Sequence, residues 1–133
     1  MIALMILAAA GVAAPEEFVG RWQTSTKHGV VEIVRCGASI CGTLVDSDGI
    51  RANPQLRDLN NKDSSQRTRA LKGLMILKGF SWKSGTWAGG TIYNGDDGGT
   101  YSATLTAEDH NQIKLKGCIV WPLCKTQIWT RIH

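Results

Sequence analysis

By type and spacing, the groups able to do chemistry here are three histidines, a cluster of aspartates and amides, four cysteines and five tryptophans. His28 and His110 fall in turn-like sequence, and His133 closes the chain. None stands beside a nucleophile in a recognisable pattern. No Gly-x-Ser-x-Gly elbow, His-Glu-x-x-His helix or phosphate loop occurs. They read as surface histidines, and no catalytic residue is expected. An enzyme assembled from distant positions is the third-ranked reading.

Asp58, Asn60, Asn61 and Asp63 share one polar stretch, and Asp96 and Asp97 lie in a Gly-rich turn. Such oxygens on loops suit Ca²⁺. The first group lacks EF-hand spacing and its closing glutamate, and Asn-Gly and Asp-Gly are ordinary hairpin sequences. No metal and no cofactor is expected.

The cysteines are Cys36, Cys41, Cys118 and Cys124. Their spacings are not the two-residue knuckles of a zinc site. An even number in a small exported chain implies disulfides, for which four cysteines allow three connectivities. The local pairing, Cys36 with Cys41 and Cys118 with Cys124, is the expected one. Each pair lies between strand-like runs and would clip a hairpin mouth at a Cα separation a disulfide can bridge.

Export is read from the N-terminus. The apolar run Ile2 to Ala10 passes into Gly11-Val12-Ala13-Ala14 and then Pro15-Glu16-Glu17. An apolar stretch ending in small residues is a signal peptide, here over residues 1–14, although no Lys or Arg precedes it. The run is shorter than the roughly 20 residues a membrane span needs. The product would be one domain over residues 15–133, periplasmic or secreted, without stable membrane insertion. The net charge of +4 is spread thinly, with its densest run at Arg67-Thr68-Arg69 near Lys62 and Lys72. No nucleic-acid motif accompanies it, so a solvated surface is expected and no nucleic-acid partner.

These residues must be positioned by strands. Val19 to Thr24, Val30 to Arg35, Ile40 to Val45, Leu74 to Leu77 and Thr86 to Tyr93 are short β runs between turn residues. Further on, Tyr101, Ala103 and Leu105 alternate with Ser102, Thr104 and Thr106, and Ile113 and Leu115 with Lys114 and Lys116. One polar and one apolar face is the mark of antiparallel strands over a core. About eight strands with short turns fit an up-and-down barrel. The stretch from Ile50 to Lys72 has no period, and a short helix is expected near Asp63 to Ala70.

Several motifs occur in order: Gly20-Arg21-Trp22, Arg35-Cys36-Gly37 with Cys41-Gly42, Asp58-Leu59-Asn60-Asn61, Arg69-Ala70-Leu71, Gly90-Thr91-Ile92-Tyr93, Gly98-Gly99-Thr100-Tyr101 and Gln127-Ile128-Trp129-Thr130-Arg131. In this order the chain resembles the bacterial domain-of-unknown-function family 2147, over about Phe18 to Arg131. It departs where Ser64-Ser65-Gln66 replaces a stretch usually richer in Pro. The resemblance implies an all-β, lipocalin-like barrel without assigned activity. It also implies that Trp22 closes one barrel end with Arg131 packed over its ring, a structural pair.

The expected function is therefore non-catalytic binding of a small apolar or amphipathic ligand in the cell envelope. Trp87, Tyr93, Tyr101 and Trp129 are the candidate pocket walls, with Arg69 and Asn61 as polar groups at the rim. The runner-up is a filled barrel that contacts another envelope protein through the Trp121 loop or the Asp58–Arg69 loop.

Overall fold

The computed structural model describes residues 13–133. The leader expected over residues 1–14 lies almost wholly outside them. After a 3₁₀ turn at Pro15–Phe18 come nine strands. They are β1 (Gly20–Gln23), β2 (Val30–Cys36), β3 (Ser39–Asp46), β4 (Leu74–Lys78), β5 (Ser81–Lys83), β6 (Thr86–Asn94), β7 (Gly99–Asp109), β8 (Gln112–Val120) and β9 (Leu123–Ile132). The sheet order is β4-β3-β2-β1-β9-β8-β7-β6-β5, every recorded pairing being antiparallel. A further pairing, Leu77 with Ile92 and Lys78 with Thr91, joins β4 to β6. The barrel therefore closes on eight strands, and β5 is a short extra strand along β6. Each of the eight barrel strands thereby has a partner on both sides, and β5 is paired on one side only.

The alternation that predicted the strands also decides what points inward. Val31 and Ile33 of β2, Ala103 and Leu105 of β7, and Ile113 and Leu115 of β8 are buried. Their strand neighbours Glu32, Thr104 and Lys114 are more exposed.

One end of the barrel is closed by aromatic rings. Trp22 and Trp87 are fully buried there with Phe18, and Trp82 packs edge-on against Phe18 and Trp87. Each buried indole N–H finds a carbonyl: Trp22 Nε1 donates to Phe18 O at 2.9 Å, and Trp87 Nε1 to Pro15 O at 3.3 Å. The Arg131 guanidinium lies 4.3 Å above the Trp22 ring and donates to the carbonyls of Val19, Glu17 and His110. Gly20 makes room for it. A Cβ at Gly20, whose φ is +136°, would stand 2.7 Å from Arg131 Nη1.

The long stretch after β3 is ordered. It opens with helix α1 (Asp48–Ala52), whose N-terminus is capped by the Ser47 hydroxyl accepting from the Ile50 N–H at 3.1 Å. The helix expected near Asp63 to Ala70 is a single 3₁₀ turn, Ser64–Gln66, capped by Asp63. A bridge between Arg57 and Ala70 and a Leu71 N–H to Leu56 O bond fold the stretch back on itself. Both disulfides are the local ones, Cys36–Cys41 and Cys118–Cys124. Among the described residues no helix is long and apolar enough to cross a membrane.

Candidate functional site

The end opposite Trp22 is open. It is framed by the β1–β2 turn, the segment between β3 and β4, the β6–β7 turn and the β8–β9 hairpin. Just inside lies a cavity of about 220 Å³. Its floor is apolar, with Leu44, Ile76, Ile92 and Trp129, and Leu56 and Leu71 lean in from the long segment. Its margin is polar, with Thr24, Ser47, Asn94 and Gln127 and the Lys27–Asp96 ion pair at 2.9 Å. A larger hollow of about 540 Å³ continues from it along the inner side of β6 to β9. It shares Ile92, Asn94 and Gln127 with the cavity and adds Tyr101, Leu115, Ile119 and Leu123. An apolar concavity with a few polar groups at its margin is the usual form of a small-molecule site.

Beside this mouth the long segment is held by one buried carboxylate. Asp58 is fully buried. Its Oδ1 accepts from the Tyr93 hydroxyl at 2.5 Å, and its Oδ2 accepts from Asn61 Nδ2 and Arg69 Nε, each at 2.9 Å. The Arg69 guanidinium also lies 5.0 Å from the centre of the Tyr93 ring. Burial pushes the Asp58 pKa up, but the bonds from Tyr93, Asn61 and Arg69 outweigh it and hold the carboxyl below the usual range. For Tyr93, burial and then the bond to Asp58 push the phenol up to about 12. A charged group with every oxygen engaged is a fastening. Nearby, Asp63 Oδ1 accepts from the Ser65 N–H and hydroxyl.

The expected site residues separate accordingly. Trp129 and Tyr93 line the cavity, and Tyr101 lines the adjoining hollow. Asn61 and Arg69 are committed to Asp58 and, with Tyr93 and Tyr101, border a separate depression of about 620 Å³. Trp87 is a correction. Expected from the sequence as a pocket wall, it is fully buried at the closed end, under the Arg35 guanidinium at 5.3 Å. The first residues of β6 start at that end, whereas Tyr93 and Asn94 reach the open one. Sequence reasoning missed Asp58 as the hub and Ile92, Leu44 and Gln127 as lining. Asp58 lies in an Asp-Leu-Asn-Asn motif that reads equally well as a loop or as ligands. The lining residues read only as strand interior.

The family described as an uncharacterized protein conserved in bacteria (DUF2147) matches residues 20–131. The chain belongs to the DUF2147 family. The match spans the whole barrel, from the first strand to the Arg131 that packs over Trp22. No curated protein matches the DUF2147 chain. Among solved structures it is similar to protein HP1028 from Helicobacter pylori, described as belonging to the lipocalin family. That similarity has a TM-score of 0.77 at 21% identity and covers 86% of this chain and 82% of the other. At this identity it shows a shared lipocalin-like barrel and nothing further.

Proposed function

We propose that this DUF2147 protein binds a small amphipathic molecule, without catalysis, in the open end of its barrel. The observation that carries the reading is the mouth itself. The closed half is packed with Trp22, Trp87 and Phe18, whereas above Trp129 the interior is a cavity with an apolar floor and polar margin. A barrel filled to both ends would have no such space. The cavity is narrow and the adjoining hollow broader, so an elongated ligand with one apolar end fits best, its polar end near Gln127, Asn94 and the Lys27–Asp96 pair. We place the protein in the periplasm or outside the cell, since its two disulfides suit an oxidising compartment.

Native mass spectrometry of the protein purified from its own host tests this. The expected result is a retained small molecule, absent from an Ile92→Trp variant whose added ring fills the cavity. A clean apo mass, together with no tryptophan emission change on titration with long-chain fatty acids or lysolipids, would count against the reading.

A further inference from the structure

At the tip of the β8–β9 hairpin five consecutive residues are apolar: Ile119, Val120, Trp121, Pro122 and Leu123. Ile119 is 74% exposed, Val120 62%, Trp121 77% and Leu123 64%. Scattered apolar residues are normal on a protein surface, but a contiguous exposed cluster marks a surface that is covered in use. The Cys118–Cys124 disulfide ties the two strands directly behind these residues. The tip is therefore presented as a unit, projecting from the open end.

The hairpin itself carries only basic charge, and the nearest acid is Asp97 of the β6–β7 turn, which lines the same hollow and accepts from the Tyr101 hydroxyl. From His110 to His133 there is no Asp or Glu. Lys125 follows Cys124 and pairs in register with Gly117, next to Lys116. Neither lysine forms an ion pair among the described residues. The long segment at the same barrel end adds Arg51, Arg57, Lys62, Arg67, Arg69 and Lys72 against Asp48, Asp58 and Asp63. Asp48 and Asp58 are paired within the protein with Arg51 and Arg69, which leaves Arg57, Lys62, Arg67 and Lys72 against Asp63.

We propose that the β8–β9 tip docks this protein reversibly on an anionic lipid bilayer. The apolar side chains would enter the boundary between headgroups and acyl chains, a depth that Trp favours. Lys116 and Lys125, set just behind the tip, would then lie at the level of the lipid phosphates. An exposed apolar tip backed by lysines without ion pairs suits a fluid, negatively charged surface better than a protein, which would have to offer matching shape and acids. This is surface attachment by one hairpin, with no segment crossing the bilayer. Ile119 and Leu123 also line the hollow of the mouth, so docking would bring that mouth to the lipid surface. The docking itself does not depend on the mouth holding a ligand.

Vesicle flotation of the processed protein tests the proposal, using phosphatidylethanolamine–phosphatidylglycerol vesicles against phosphatidylcholine alone. Binding is expected to the anionic vesicles, with a blue shift of tryptophan emission, and to weaken with added salt. A Trp121→Ser/Leu123→Ser double variant should bind about tenfold more weakly or worse. Its thermal unfolding should be unchanged, because both side chains are exposed. Lys116→Gln and Lys125→Gln should each cost about fivefold. Absence of binding to anionic vesicles at low salt, or equal binding by the double variant, would overturn the proposal. So would a tip-dependent dimer in sedimentation velocity without vesicle binding, which would assign the surface to a second copy of the chain.

Discussion

Asp58 shows how a residue in a loop is bound into a barrel. Its carboxylate takes three donors, from Tyr93 on β6 and from Asn61 and Arg69 on the long segment. Asp58→Ala leaves these donors facing a void. Arg69 keeps some access to water, so we expect a loss of about 2–3 kcal/mol in urea unfolding, below the usual cost of breaking a buried pair. Tyr93→Phe removes one donor and should cost about 1–2 kcal/mol. The pH dependence follows from the same bonds. The folded-state pKa of Asp58 lies below its ordinary value of 3.8, so its contribution is present above that pH and lost as pH falls through the folded value. Tyr93 is shifted the other way. Its contribution is complete below pH 10 and lost as pH rises towards about 12. In unfolding titrations Asp58→Asn should flatten the acid limb, and Tyr93→Phe should flatten the alkaline limb. Wild-type limbs in both variants would contradict this account of the hub.

Among the elements, the β6–β7 turn and the long segment depend on each other. Asn60 Nδ2 donates to the carbonyls of Gly95 and Asp96, at 3.4 and 3.1 Å. Gly98, at φ +71°, sits so close that a Cβ there would fall 1.8 Å from the Asn60 carbonyl oxygen. Gly98→Ala combines backbone strain with this clash and should destabilise by about 1–3 kcal/mol. It should also open the stretch around Arg67 to trypsin, while a wild-type digestion pattern would show the docking to be unimportant. The strand runs were legible in sequence because inward and outward side chains alternate along them. Helix α1 was less so, since its Ser47 cap sits in an Asp-Ser-Asp-Gly run that equally describes a turn. The long segment has no period because Asp58 orders it through contacts with a strand far away in the chain.

The whole molecule divides the work between its ends. Trp22→Ala should cost about 3–5 kcal/mol, because it empties the closed end and leaves Arg131 without its ring. At temperatures where that variant stays folded, ligand affinity should be close to wild type. Ile92→Trp should behave in the opposite way, with nearly normal stability and lost binding. Matched losses of both properties in both variants would mean that the ends are not separate.

The sequence by itself determined the all-β character, the local disulfides and the Gly20-Arg21-Trp22 and Arg131 elements that meet at the closed end. Each follows from short-range spacing or from a motif that stands in the chain as written. Only the tertiary structure decided that Trp87 belongs to the core while Trp129 floors a cavity, although both are tryptophans in alternating strands. Along a strand the alternation says which face turns inward, but not how far along the barrel a residue lies. That height follows from strand direction and register around the closed sheet, and it separates a packed end from an open one.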